Sequence, residues 1–138
     1  MRGIHHVNIT TGCFAETVRL YQEGLGFTVK HVWGRDKKVC MMDTGDGACV
    51  ELTEGEPGPR AGSPSGNGQW THLALRTDDI RRDYQRALDA GFQGRLPPTR
   101  ADILEAEPEP VYLWFAYLVG YDGEEIELIQ ELEGPARE

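Results

Sequence analysis

The chain has few cysteines, no long apolar run and no basic stripe, and each shortage excludes a class of protein. Cys13, Cys40 and Cys49 are the only cysteines. An odd number without paired spacing is not a disulfide framework. No apolar stretch approaches the roughly 18 residues of a membrane helix. Asp and Glu number 23 against 14 Lys and Arg, for a formal net charge of −9. A general nucleic-acid binder needs cations clustered to neutralise phosphates. Here the longest basic cluster is Arg35, Lys37 and Lys38, interrupted by Asp36, which reads as a solvated hairpin turn. The first residues, Met1 to His6, enter a strand-like pattern without an apolar leader segment, so no signal peptide is expected. These features point to a soluble, reduced, cytoplasmic protein. Apolar residues make up 39% of the 138 residues, enough for the core of one domain or of two half-size units.

Punctuation and periodicity divide the chain into strands and two helices. Residues 4–11 are rich in β-branched types and read as a strand. Phe14, Val18, Tyr21 and Leu25 recur at helical spacing over 14–24, and Gly24 and Gly26 end that helix. Residues 27–34, 37–44 and 48–54 read as strands, with turns at Arg35-Asp36 and Gly45-Asp46-Gly47. Residues 55–68 are dense in Gly, Pro and Ser and read as a linker. Residues 70–77 then read as a strand and 79–91 as a helix, with Asp78 as N-cap and Gly91 past its end. Residues 112–119 and 124–131 read as strands joined at Asp122-Gly123. Between Gly94 and Pro110, Pro97, Pro98 and Pro108 predict an irregular strand and a long loop.

The second half repeats the first. His6 to Thr11 answers to His72 to Thr77. Each strand is followed by a helix running into Gly-Phe, at Gly26-Phe27 and Gly91-Phe92. Each half closes on a Glu between aliphatics, Val50-Glu51-Leu52 and Ile126-Glu127-Leu128. Such repetition predicts one domain built of two modules, about 1–54 and 69–131, with a short tail at 132–138. The class is α+β.

Strand alternation turns this repeat into a chemical expectation. With Val7, Ile9, Val50, Leu52, Leu73, Leu75, Ile126 and Leu128 packed against helices, His6, Glu51, His72 and Glu127 share the opposite face of their strands. Two imidazoles and two carboxylates facing one cavity suit a single divalent ion, which removes the cost of burying unpaired carboxylates. Nitrogen and oxygen donors are compatible with zinc, nickel, cobalt, manganese or ferrous iron. His5 is a rival to His6, but alternation places it on the helix side. His31 lies outside the repeat and reads as a surface residue.

In this setting the chain resembles the vicinal oxygen chelate superfamily, which includes glyoxalase I, methylmalonyl-CoA epimerase, fosfomycin-resistance enzymes, extradiol dioxygenases and bleomycin-binding proteins. The resemblance rests on His6 in the opening strand, on Tyr21 with Leu25-Gly26-Phe27, and on the closing segment Asp122-Gly123-Glu124-Glu125-Ile126-Glu127-Leu128. It implies two βαβββ modules forming an open, U-shaped barrel around a metal, commonly in a homodimer. A carboxylate at the position of Glu51 is similar to the four-ligand branch, that of glyoxalase I and the epimerase. Extradiol dioxygenases and fosfomycin-resistance enzymes resemble a three-ligand plan. The activity implied is proton transfer beside a carbonyl of a small substrate, by a lyase, isomerase or epimerase. Glu127 or Glu51 is then the base, with preference for Glu127. A small-molecule binding or resistance protein on the same fold is the alternative, and an iron-dependent dioxygenase a more remote one.

Three further residues are candidates for substrate contact. Arg76, four positions after His72 and on the same face, could anchor a carboxylate or pair with a nearby acid. Asn8 shares the face of His6. If Asp122-Gly123 is a two-residue turn, Leu118 pairs with Glu127, and Tyr112, Trp114 and Ala116 face the cavity. Thr10 and Glu54-Gly55 stand where bacterial glyoxalase I resembles a glutathione-binding pattern, which argues against glutathione as substrate. The acidic charge argues against a coenzyme A thioester.

Overall fold

The computed structural model describes residues 3–57 and 71–135. In chain order these form β1 (His6–Thr11), α1 (Phe14–Leu25), β2 (Thr28–Trp33), β3 (Val39–Asp43) and β4 (Cys49–Glu54). The second series is β5 (Leu73–Arg76), α2 (Ile80–Ala90), β6 (Gln93–Ile103), β7 (Val111–Val119) and β8 (Glu125–Leu132). Each series is a βαβββ module, as the repeat requires. Most of the linker, and Trp70 at the start of the expected fifth strand, lie outside the described residues.

Contacts divide the chain into two compact units, Met1–Pro64 with Tyr121–Gly123, and Ser65–Gly120 with Glu124–Glu138. In the first, the sheet order is β1-β4-β3-β2; in the second it is β5-β8-β7-β6. The opening strand of each module runs parallel to its closing strand and the other neighbours are antiparallel. The repeat extends to register. Asn8 pairs with Glu51 and Ala74 with Glu127, in each case the residue two beyond the module's histidine.

One face of each sheet is closed by its helix. In the first unit Leu20 and Tyr21 of α1 are fully buried, as are Cys40, Met42, Val50 and Leu52. The buried stripe of α1 is Thr17, Leu20, Tyr21 and Gly24, rotated from the expected Phe14, Val18, Tyr21 and Leu25. Thr17 tolerates burial because its hydroxyl meets that of Thr11 at 2.8 Å. In the second unit Ile80 and Ala87 of α2 pack with Ala116, Leu118, Ile126 and Leu128. Phe27 and Phe92, which follow the two helix-ending glycines, are each 4% exposed, so the paired Gly-Phe signals mark equivalent core positions. Gly26 and Gly91 both take positive φ, 73° and 122°, a conformation that glycine adopts without a Cβ penalty.

Two expectations about local structure need correction. The N-cap of α2 is Asp79, not Asp78: its side chain accepts the Arg82 N–H at 3.0 Å, while Asp79 N–H donates to Thr77 Oγ1. The segment after Gly94 is also more regular than its prolines predict. β6 runs 11 residues through Pro97 and Pro98. It is the edge strand of its sheet, and its register shifts between Gly94 and Leu96 and between Leu96 and Thr99. An edge strand with bulges tolerates residues that lack an N–H donor.

Asp83, in the first turn of α2, accepts from the Thr77 hydroxyl and from Arg82 Nε at 2.8 Å. Burial pushes its carboxyl up, but the Arg82 and Thr77 hydrogen bonds and the charges of Arg82 and Arg86 together hold it below the ordinary carboxylate value. A depressed folded-state pKa contributes stability above the unfolded value of about 3.9, lost as pH falls through the folded value. Asp83→Asn is therefore expected to melt at a lower temperature than the wild type at about pH 7. The gap should close as acidification passes through the lowered Asp83 value, beneath the ordinary carboxylate range, as followed by thermal denaturation at falling pH.

Candidate metal centre

Alternation along β4 and β8 places Glu51 and Glu127 on the faces opposite α1 and α2. In each unit a histidine meets the glutamate. His6 Nε2 lies 3.9 Å from Glu51 Oε1, and His72 Nε2 lies 3.0 Å from Glu127 Oε2. The carboxylates are the more sheltered partners, with side chains 18% and 13% exposed against 37% and 33% for the imidazoles. An ion that holds a nitrogen and an oxygen at about 2.1 Å separates them by roughly 3.0–3.5 Å. The pair in the second unit is at that separation and the pair in the first is slightly open, so both donor sets fit a divalent cation. Among the described residues, no group of three or more His, Cys, Asp or Glu is drawn together in one place for a metal. Each unit brings one His-Glu pair together, His6 with Glu51 and His72 with Glu127.

The surroundings of the pairs differ. Asn8 Nδ2 donates to Glu51 Oε1 and to Thr53 Oγ1, both at 2.9 Å, so its amide group is engaged with Glu51. His5 Nδ1 meets His6 Nδ1 at 2.8 Å; His6, not His5, is the ring beside Glu51. In the second unit Thr71 Oγ1 lies 3.1 Å from His72 Nδ1. A carboxylate only accepts, so in the neutral ring Nε2 carries the proton toward Glu127 and the Thr71 hydroxyl donates to Nδ1. Arg76 shares the face of Glu127, and its Nε lies 3.3 Å from Glu131 Oε2, both side chains well exposed. His31 is an exposed residue beside Met41.

The aromatic strand differs from expectation in parity. Leu118 pairs with Ile126 and Tyr117 with Glu127. The connection is three residues, Tyr121-Asp122-Gly123, closed by the Gly120 N–H donating to Glu124 O, with Gly123 at φ 83°. Such a loop adds one residue to the two-residue turn and reverses which side chains face each way. Trp114 and Ala116 therefore lie on the helix side. The Arg81 guanidinium of α2 sits 4.8 Å from the Trp114 ring centre, so Trp114 is not beside Glu127. Tyr117 takes that place. Its ring is edge-on to His72 at 5.6 Å, Arg95 lies 5.3 Å from its centre, and its hydroxyl hydrogen-bonds Glu127. Arg95 is itself paired with Glu125. Burial, then the bond to Glu127 and its charge, push the Tyr117 phenol up, against the opposing charge of Arg95. Tyr117 is not among the residues expected at the site; a three-residue loop with glycine in its last position, Tyr121-Asp122-Gly123, is the signal in the chain that points to it.

The family model of the glyoxalase/bleomycin resistance protein/dioxygenase superfamily matches residues 3–106, more than half of the chain. The chain belongs to this superfamily. Solved structures agree in fold. A glyoxylase/bleomycin resistance protein/dioxygenase domain from Frankia sp. EAN1pec aligns with TM-score 0.74 at 18% identity, covering 96% of this chain and 99% of that one. The trypanothione-dependent glyoxalase I of Leishmania major aligns with TM-score 0.67 at 20% identity, covering 94% and 87%. The fosfomycin resistance protein FosX from Mesorhizobium loti gives 0.63 at 17%, covering 93% and 90%. No curated protein matches. The superfamily thus includes both enzymes and resistance proteins, on one shared plan of two βαβββ modules. Among the described residues no helix is long and apolar enough to cross a membrane.

Proposed function

We propose that this chain is a divalent-metal-dependent lyase, isomerase or epimerase, glyoxalase-like in chemistry, acting as a cytoplasmic homodimer on a small carbonyl or hydroxy-acid substrate. The observation that carries this reading is the duplicated pair: each module sets a histidine beside a glutamate at the same register of parallel strands. Together His6, Glu51, His72 and Glu127 supply two nitrogens and two oxygens, a donor set for zinc, nickel, cobalt, manganese or ferrous iron.

When bound, the ion supplies Lewis acidity that polarises neighbouring substrate oxygens and acidifies the adjacent C–H. Glu127, the least exposed of the four side chains, is the base that takes that proton and returns it. Arg76, on the face of Glu127, holds a substrate carboxylate by exchanging it for Glu131.

Elemental analysis of protein purified without added metal or chelator tests this. Wild type is expected to carry about one equivalent per chain, and Glu51→Ala much less. If wild type carries none after incubation with each of the five ions, the enzyme reading fails and a small-molecule binding protein on the same fold replaces it.

A further inference from the structure

Glu51 and Glu127 occupy equivalent positions, yet their hydrogen-bond donors come from different strands. Beside Glu51, the β1 neighbour is Asn8 and the β3 neighbour is Met41. Beside Glu127, the β5 neighbour is Ala74 and the β7 neighbour is Tyr117. Of the two lateral strand neighbours of each carboxylate, one thus donates and one cannot: Asn8 with Met41 in the first unit, Tyr117 with Ala74 in the second. The side of the donor is reversed while its effect is kept. A carboxylate with one oxygen tied to a fixed donor aims the other at a defined direction. The Tyr117 ring is itself fixed, edge-on to His72 at 5.6 Å and with Arg95 5.3 Å from its centre.

We infer that Tyr117 is the positioning residue of the second half-site: its hydroxyl aims the Glu127 carboxylate at His72 Nε2, the work that Asn8 does for Glu51. This rests on the metal reading above for its consequence, but not for its geometry. Without the hydroxyl, Ala74 offers no donor in its place, and the Glu127 carboxylate is left with its contact to His72 Nε2. Phenylalanine keeps the ring contacts with His72 and Arg95, so Tyr117→Phe isolates the hydroxyl.

Two measurements on wild type, Tyr117→Phe and Tyr117→Phe/Ala74→Asn decide the matter. In cobalt titrations followed by visible absorption, Tyr117→Phe should bind about 10- to 100-fold more weakly than wild type, with altered d–d bands. Ala74→Asn, which imports the donor of the first unit, should recover part of that loss; a purely structural defect would not be rescued this way. In metal-free protein, long-range 1H–15N spectra at one fixed pH should show His72 as the Nε2-protonated tautomer in wild type and as a mixture in Tyr117→Phe. Unchanged cobalt affinity together with an unchanged His72 tautomer overturns the inference. If wild type takes up no cobalt, the metal reading falls, and the metal-free spectra alone uphold or overturn the role of Tyr117.

Discussion

Glu127→Ala should lose most of its metal affinity and keep its fold. Four-ligand zinc sites are worth ~10–16 kcal/mol in total. One ligand in four then accounts for about 3 kcal/mol, or roughly a hundredfold in the dissociation constant. The same change removes the proposed base, so solvent exchange of the substrate proton should fall to background even at saturating metal. Folding should be spared: the Glu127 side chain is on the sheet face away from α2, and deleting it removes one partner each from His72 Nε2, on a partly exposed ring, and from the Tyr117 hydroxyl. The metal-free melting temperature is expected to move little, as for most changes outside the core. A competition titration against a chelator, with a melting curve on the same samples, checks both halves. Wild-type affinity in the variant would remove Glu127 from the ligand set.

Ile126→Ala, one residue away, should do the reverse. Ile126 has no solvent exposure and pairs laterally with Leu73 and Leu118, on the face that packs against α2. Truncating a fully buried isoleucine leaves a cavity and costs about 3 kcal/mol, roughly 10 °C in Tm for a chain of this size. The molecules that stay folded should bind metal about as wild type does, because the neighbouring carboxylate is on the other face. The contrast between positions 126 and 127 is a direct test of strand alternation. A small loss at 126 with a large one at 127 would mean that β8 presents its faces the other way round.

Much of this was legible beforehand because it depends on short-range rules. The repeat of His, helix, Gly-Phe and Glu implied two modules of strand, helix and further strands, and the register shows the equivalence at Asn8 with Glu51 and Ala74 with Glu127. Gly26 and Gly91 marked helix ends because positive φ is inexpensive only without a Cβ. β6 was not legible in full, since Pro97 and Pro98 read as breakers until the strand is known to be an edge. The α1 stripe was off by a small rotation because a threonine pair replaced expected apolar contact at Thr17. Trp114 was assigned the wrong side because a loop longer by one residue reverses every side chain that precedes it.

The sequence by itself determined the two modules, their α+β class and the residue types that meet in each His-Glu pair. Those follow from periodicity, glycine placement and repetition, which are local properties of the chain. Tertiary structure decided that Asn8 is tied to Glu51, that Arg76 meets Glu131, and that Tyr117 rather than Trp114 stands beside Glu127. These depend on lateral register between strands far apart in the chain. Register is set by how loops close and how faces pack, so no single strand's residues specify it.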